Sequence, residues 1–143
     1  MLLNTDDGSD VVKLVDFGMA KFIIESEDLK LSKTGDLCGT PTYMSPEHFQ
    51  GHKLDARSDI YSFGCVLYEA LTGSTPFTGV SIYDMMNCHV NEKPSRLPFL
   101  RPGKKVPDEL ESLLFKTLEK EPDKRPQSIV DVRTSLSQIL KNL

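Results

Sequence analysis

Apolar residues recur with a helical period through the middle of the chain. A helix that is apolar on nearly every side is typical of a buried helix. Between Ala56 and Thr72 this is the pattern, because the apolar, aromatic and cysteine positions are Ile60, Tyr61, Phe63, Cys65, Val66, Leu67, Tyr68, Ala70 and Leu71. Gly73 and Pro76 follow at once and favour a stop. The pattern predicts a buried helix over these residues, with Cys65 in its core.

Three later segments also have helical patterns. The positions i, i+3, i+4, i+7 and i+8 predict an amphipathic helix from about Asp108 to Glu119, and they are Leu110, Leu113, Leu114, Thr117 and Leu118. The last helix is predicted to begin near Ser128, which is a good N-cap. Asp131 stands three residues later, where a capping box usually has the longer glutamate. Residues 81–90 have a weaker helical pattern, and the four prolines in 91–107 indicate an extended loop.

The N-terminal part has a strand pattern instead. Leu2-Leu3 and the apolar run from Val11 to Val15 flank a polar stretch with Asp7-Gly8 at its centre, which predicts a β-hairpin. Residues 24–46 show no period, and a loop of that length in a compact domain is usually functional or mobile. We therefore expect a mainly α fold with a short N-terminal β-hairpin, then a long loop and four helices.

Composition and charge narrow the classes of function. The chain has 143 residues with a formal net charge of −4, which argues against nucleic-acid binding. No apolar run approaches the ~20 residues needed to span a bilayer, so no membrane segment is expected. Cys38, Cys65 and Cys88 are odd in number and widely spaced, which favours reduced thiols and a cytoplasmic setting. None of His48, His52 and His89 has metal-ligand spacing, and surface or loop positions are expected for all three.

Four ordered motifs point to a chemistry. The strand from Lys13 ends in Asp16, Phe17 and Gly18, and the segment from Gly39 to Glu47 begins 21 residues after Gly18. The other two motifs are Asp59 to Gly64 and Glu121 to Pro126. In this order and spacing the motifs resemble the eukaryotic-type serine/threonine protein kinase family, with a similarity to its bacterial members, over essentially the whole chain.

The resemblance implies an incomplete C-terminal lobe of the two-lobed α+β kinase fold. Residues 1–18 would be the hairpin and the Asp-Phe-Gly motif, 19–47 the activation and substrate-docking loops, and 48–143 a helical subdomain. The implied activity is transfer of the ATP γ-phosphate to serine or threonine hydroxyls of a protein substrate. The implied cofactors of the complete domain are ATP and Mg²⁺, and this chain alone is expected to bind neither.

The resemblance also assigns roles near the metal. Asp16 matches the carboxylate that binds Mg²⁺, a cation that prefers oxygen ligands. Phe17 and Gly18 match the switch that points this carboxylate inward or outward. Residues 19–44 match the activation loop, in which Thr34 is the leading candidate phosphosite, followed by Ser32 and Thr42.

The remaining roles concern substrate docking and structural support. The positions that match the docking loop are Gly39, Thr40, Pro41, Tyr43 and Pro46. Thr40 would support the catalytic residues. Glu47 and Arg125 match a buried ion pair in the family, and since an isolated buried charge is costly, each explains the other. Asp59 matches a residue that anchors the backbone of the catalytic loop.

Other parts of the kinase machinery have no counterpart in these 143 residues. The glycines never form Gly-x-Gly, no histidine precedes Arg-Asp, and no Asn stands five residues after an Asp. Met1 is therefore expected to be an internal methionine of a longer kinase, or the start of a truncated gene. The isolated chain is expected to be inactive, and to be either marginally folded or dependent on a partner, for which the missing N-terminal part of the kinase domain is the candidate. The alternative is a non-catalytic kinase-like module that docks or sequesters substrates or partners.

Overall fold

A computed structural model describes residues 40–97 and 106–142, together with the backbone of two N-terminal strands. The strands β1 (Leu2–Asn4) and β2 (Asp10–Val12) pair antiparallel, with Leu3 opposite Val11. The predicted hairpin pairing is thus confirmed, while the Asp7-Gly8 turn lies outside the described residues. The rest of the described chain is helical, as expected for a mainly α fold.

Four long helices follow the predicted pattern. They are α2 (Ala56–Thr72), α3 (Ile82–Asn91), α4 (Asp108–Thr117) and α5 (Ile129–Lys141). Gly73 ends α2 in the left-handed conformation with φ of 77°, which costs glycine little. The predicted box at α5 is present, because the Ser128 side chain accepts from the Asp131 amide and the Asp131 carboxylate accepts from the Ser128 amide.

Three short elements were not anticipated. A four-residue helix, α1 (Pro46–Phe49), follows a 3₁₀ turn over Pro41–Tyr43, and a second 3₁₀ turn covers Pro122–Lys124. Each of the three begins with a proline, whose fixed φ and missing N–H suit a first helical position. They are too short to show a hydrophobic period, so the sequence pattern could not reveal them.

The helix α4 ends slightly before the predicted Glu119. Its last residue is Thr117, and the Leu118 amide bonds to both Leu114 and Phe115 carbonyls. The Glu119 carbonyl instead accepts a hydrogen bond from Arg125. The chain therefore leaves the helical path near Glu119, whose backbone carbonyl binds the Arg125 side chain.

The core lies between α2, α3 and α4. Its buried apolar members are Tyr61, Cys65, Tyr68, Phe77, Cys88, Leu114 and Leu118. One face of α2 is buried here, as predicted for Cys65, whereas Val66 on the other face is 52% exposed within this chain. The helix is thus covered on one side by the described residues.

Close contact between α2 and α4 depends on Gly64. A β-carbon at this position would overlap Thr117 Oγ1 and come within 3.1 Å of Leu118 Cδ2. Thr117 has little room to move, since it is fully buried and its hydroxyl donates to the Leu114 carbonyl at 2.7 Å. The absence of a side chain at residue 64 sets how near the two helices approach.

The substitution Gly64→Ala tests this contact. We expect a net loss of about 1–3 kcal/mol in the free energy of unfolding, because overpacking a close helix contact exceeds the gain of about 1 kcal/mol in helix propensity. Urea denaturation measures the loss. Val66→Ala, at the exposed face of the same helix, is the matched control, and an equal or smaller loss for Gly64→Ala would contradict the packing argument.

Candidate functional site

The segment from Thr40 to Glu47 lies along α2 and is attached to it at Tyr43. The Tyr43 hydroxyl donates to Glu69 Oε2 at 2.7 Å, and Ser62 Oγ donates to the Tyr43 carbonyl at 2.8 Å. The hydrogen bond to Glu69 also raises the pKa of Tyr43. Both the side chain and the backbone of this residue are therefore fixed by one helix. We call residues 40–47 the docking segment.

The far end of the docking segment is attached by an ion pair. Glu47 meets Arg125 in two parallel hydrogen bonds, from Nη1 to Oε1 at 2.7 Å and from Nη2 to Oε2 at 2.8 Å. The Arg125 side chain is 0% exposed and that of Glu47 is 6% exposed. Ser58 Oγ adds a third bond to Oε1 at 2.7 Å. The structure thus brings together the two residues that the resemblance paired.

Every N–H of the Arg125 guanidinium has an acceptor. A guanidinium carries five such donors, and besides the two bonds to Glu47 they reach three backbone carbonyls, those of Arg57, Glu119 and Lys120. Its central carbon also lies 4.9 Å from the Tyr61 ring centroid. A buried charge of this kind is tolerated because its hydrogen bonds are complete.

The electrostatic balance at Glu47 favours the charged form. Burial acts to raise the pKa of this carboxyl, but the hydrogen bonds from Arg125 and Ser58 outweigh it and hold the pKa at about 2. The carboxylate therefore stays ionised at every pH at which the chain would function. The ion pair is permanent under those conditions.

A second, more exposed network reinforces the same corner. Arg57 donates to its neighbour Asp55, the N-cap of α2, and reaches Asp123 at 2.6 Å and Gln127 at 3.0 Å. Asp55 itself accepts from the Arg57 amide. The start of α2 is thus joined to the turn before α5 on the solvent side, parallel to the buried bond from Arg125.

The expectation that His89 lies at the surface or in a loop is wrong. It belongs to the last turn of α3 and is 0% exposed. Its ring is surrounded by three aromatic rings, with centroids of Phe49, Tyr61 and Phe77 at 5.5, 5.8 and 4.9 Å. The three rings come from α1, from α2 and from the loop between α2 and α3, and the sequence around His89 does not indicate this packing.

The environment keeps His89 neutral. Burial lowers the pKa of the imidazole to about 4, and the nearby Lys120 cation acts in the same direction. Lys120 itself donates to the Cys88 and His89 carbonyls and lies 4.1 Å from the Phe77 ring centroid. Burial lowers the pKa of Lys120 to about 8. Lys120 therefore caps the end of α3 while it disfavours a charge on His89.

The other residues that the resemblance assigns to substrate docking lie where the segment meets solvent and core. Thr40 is exposed and precedes the 3₁₀ turn without a side-chain capping bond, Pro41 and Thr42 are half-buried, and Pro46 is buried. Asp59 is exposed in the first turn of α2. The roles assigned to Asp16, Phe17, Gly18, Ser32, Thr34 and Gly39 concern residues outside the described ranges.

Sequence reasoning missed three polar residues of α2 that hold the docking segment. Ser62 and Glu69 interrupt the mostly apolar stretch from Ile60 to Leu71, and Ser58 lies two residues before it. Polar side chains in a helix of that kind need partners when they are buried. That interruption was the available signal, although it does not identify the partners.

The described part of the chain contains neither a metal-ligand cluster nor a membrane-spanning helix. Among residues 40–97 and 106–142, no group of three or more His, Cys, Asp or Glu side chains is arranged to hold a metal ion. In the same part of the chain, no helix combines the length and apolar character needed to traverse a bilayer.

Comparison with known proteins gives consistent matches. A sequence profile described as the protein kinase domain matches residues 1–140. The serine/threonine-protein kinase PknB of Mycolicibacterium smegmatis is 40% identical over 131 residues, covering 92% of this chain and 20% of that protein. PknB of Mycobacterium leprae is 38% identical over 131 residues, with coverage of 92% and 20%.

A relative from another bacterial group matches in the same way. The serine/threonine-protein kinase pkn3 of Myxococcus xanthus is 38% identical over 133 residues, covering 92% of this chain and 24% of that protein. The chain therefore spans about a fifth to a quarter of the length of these curated relatives.

Removing one partner of the buried ion pair should strongly destabilise the fold. We expect Arg125→Ala to lower the free energy of unfolding by about 3–5 kcal/mol, because it leaves the Glu47 carboxylate buried and three carbonyls without a donor. Chemical denaturation measures the change. Glu47→Ala and the double variant complete a cycle, in which the second substitution should cost far less once the first is made.

Lys124→Ala provides the matched control for that cycle. Lys124 forms an ion pair with Glu121 at the same N–O distance of 2.7 Å, but the two side chains are 58% and 67% exposed. Exposed pairs contribute about 0–1 kcal/mol. If Arg125→Ala were no more damaging than Lys124→Ala, the supporting role of the buried pair would be refuted.

Acid should destabilise the fold in two separate pH ranges. The unfolded chain binds more protons than the folded chain at His89 between pH 6.5 and about 4, and at Glu47 between pH 4.5 and about 2. The stability that these two groups contribute is therefore fully present above pH 6.5, and it falls as the pH is lowered through each range. The substitution His89→Gln should flatten the first range and leave the second, as measured by denaturation midpoints against pH. An unchanged slope from pH 6.5 to 4.5 would exclude His89 as its source.

Proposed function

This chain belongs to the protein kinase domain family, and from that premise we propose that it forms the substrate-docking and helical part of a serine/threonine kinase. The complete enzyme would transfer the ATP γ-phosphate to serine or threonine hydroxyls of a protein. The relatives named as serine/threonine-protein kinases support this reaction class. The phosphate acceptor is the substrate hydroxyl, and ADP leaves.

The attachment of the docking segment carries the proposal. Tyr43 is fixed to Ser62 and Glu69, while Glu47 is fixed to Arg125 and Ser58. Phosphoryl transfer depends mainly on positioning and electrostatic stabilisation. The segment is held at Tyr43 and Glu47, and the 3₁₀ turn that ends at Tyr43 places Thr40 and Pro41 next to the first attachment, as a platform for the residues around an acceptor hydroxyl.

The remaining roles, several of them assigned to residues outside the described ranges, form part of the same proposal. Asp16 would bind Mg²⁺ through carboxylate oxygens, and this ion supplies positive charge against the ATP phosphates when bound. Phe17 and Gly18 would switch Asp16, Thr40 would support the catalytic residues, and Asp59 would anchor the catalytic loop. We expect phosphorylation at Thr34 first, then at Ser32 or Thr42.

The division of the chain follows these roles. Residues 1–18 supply the hairpin and the metal-binding motif, 19–47 the activation and docking loops, and 48–143 the helical subdomain. Cys65 and Cys88 are both buried free thiols. Free thiols suit a reducing compartment such as the cytoplasm. The 143-residue chain by itself should transfer no phosphate, because the base, the ATP-contacting lysine and the glycine-rich loop have no counterpart in its sequence.

A phosphate-transfer assay on two forms of the protein tests the function. Radiolabelled ATP, Mg²⁺ and a general basic protein substrate are incubated with the 143-residue chain, and with a form extended by the sequence encoded in frame before Met1. We expect transfer only by the extended form, and loss of at least 100-fold on Asp16→Ala, because the metal ligand is removed.

The control is Asp7→Asn, which removes the same charge from the predicted Asp-Gly turn and leaves an Asn-Gly pair that favours the same turn. Transfer by the chain alone would contradict its inactivity. An upstream stop codon, together with substrate binding but no transfer, would favour the non-catalytic docking module instead. Equal activity of the Asp16→Ala and Asp7→Asn forms would reject the metal role.

A further inference from the structure

The side chain of Lys120 points into the molecule, although the proposed function has no use for its charge. A lysine ammonium normally stays in water while its stem lies along the protein surface. Here the ammonium lies 4.1 Å from the Phe77 ring centroid and donates to the Cys88 and His89 carbonyls at 3.2 and 2.6 Å. A charge that leaves water is costly unless it is hydrogen-bonded, so the inward position needs a physical explanation.

The ammonium binds the C-terminal end of α3. The last carbonyls of a helix lack partners within the helix and carry the negative end of its dipole. Cys88 and His89 lie in the last turn of α3, where the Cys88 carbonyl also accepts from the Glu92 amide at 3.0 Å. Lys120 therefore holds this helix end from a segment 31 positions further along the chain than His89.

The backbone of Lys120 has a partner on the side of the docking segment. Its carbonyl accepts from Arg125 Nη2 at 2.9 Å, and the same nitrogen donates to Glu47 Oε2 at 2.8 Å. Glu47 is the last residue of the docking segment. A continuous path of hydrogen bonds thus runs from the end of α3, through the side chain and the backbone of Lys120, to the docking segment.

The helix α3 also contacts the docking segment directly. It packs against the 3₁₀ turn over Pro41–Tyr43 and against α1. The ring centroids of His89 in α3 and Phe49 in α1 lie 5.5 Å apart, and His89 is one of the two residues whose carbonyls Lys120 binds. A shift of the end of α3 would therefore move a surface on which the docking segment rests.

We propose that Lys120 is a positioning residue, whose ammonium and carbonyl together fix the end of α3 relative to the docking segment. The consequence for substrate binding rests on the proposed function, whereas every contact that carries the inference lies within the described residues. Lys120 is outside the docking segment, so it acts on a bound substrate through α3 and through Arg125.

The substitution Lys120→Met removes the ammonium and leaves the other contacts of the residue. Methionine has an unbranched apolar stem, so it retains packing against Phe77, and the carbonyl of residue 120 still accepts from Arg125. Lys116→Met is the matched control, because Lys116 is an exposed lysine in the last turn of α4.

Hydrogen exchange of the 143-residue chain tests the coupling through three amides. Glu92 reports on the end of α3, Met44 on the 3₁₀ turn and Gln50 on α1, each through a backbone bond of 3.0 to 3.2 Å. In Lys120→Met we expect exchange at Glu92 to accelerate about tenfold, as for the loss of one hydrogen bond. Exchange at Met44 and Gln50 should accelerate about threefold, because local opening extends from α3 to its neighbours.

Amides of α5 are the internal reference, since a general loss of stability would accelerate them equally. Acceleration at Glu92 alone would show a cap confined to α3 and would overturn the coupling. Unchanged exchange at Glu92, equal acceleration in α5, or the same changes in Lys116→Met would each overturn the proposal as well.

Kinetics of the extended form test the consequence for the substrate. Lys120→Met should raise KM for the protein substrate about threefold with kcat and KM for ATP unchanged, as for a loss of uniform binding. An unchanged KM for the protein substrate, or an equal rise in KM for ATP, would overturn the positioning role. Absence of transfer by the parent would reject the proposed function and leave the exchange result intact.

Discussion

The buried pair of Glu47 and Arg125 is the interaction on which the arrangement of the short elements depends. The helix α1 has four residues and the two 3₁₀ turns have three each, and helical pieces of this length do not persist on their own. Arg125 connects α1 with the first turn of α2 and with the chain after α4. The ion pair therefore fixes the positions of these short elements, which are too small to be held in place by burial alone.

The desolvation penalty explains why the link is so complete. Removing a carboxylate and a guanidinium from water costs several kcal/mol per ion unless hydrogen bonds replace the hydration shell. Here three carbonyls and the Ser58 hydroxyl complete the replacement. The pair is consequently a fixed point in the fold more than a source of net stability, because several segments must be in place before its bonds are satisfied.

Tyr61 joins this polar link to the aromatic cluster around His89. One face of its ring lies near Arg125, and its hydroxyl bonds to His89. The docking segment therefore has an ionic support at Glu47, and Tyr61 joins that support to the aromatic cluster around His89. Both are buried within the helical part of the chain, so the position of the docking segment is a property of the core.

The sequence predicted the elements with long periodic patterns and missed those that depend on distant partners. The bounds of α2 and the capping box at Ser128 could be predicted because period, cap and stop signals lie within a few residues of each other. The link from Glu47 to Arg125 came from the resemblance, since a separation of 78 positions carries no spacing signal. The predicted position of His89 was wrong because the rings that enclose it come from two helices and a loop that are distant in the sequence.

The helix α2 holds the docking segment at Ser58, Ser62 and Glu69, in the reverse order of the residues that they hold. These positions span about 16 Å at a rise of 1.5 Å per residue, so the length of α2 sets the distance between the points at which the segment is attached. Inserting or deleting one residue within α2 between Ser58 and Glu69 would rotate later anchors by about 100° around the helix. The spacing of this part of the chain is therefore fixed more tightly than its composition: side chains can be exchanged at many positions, but the number of residues between the anchors cannot change.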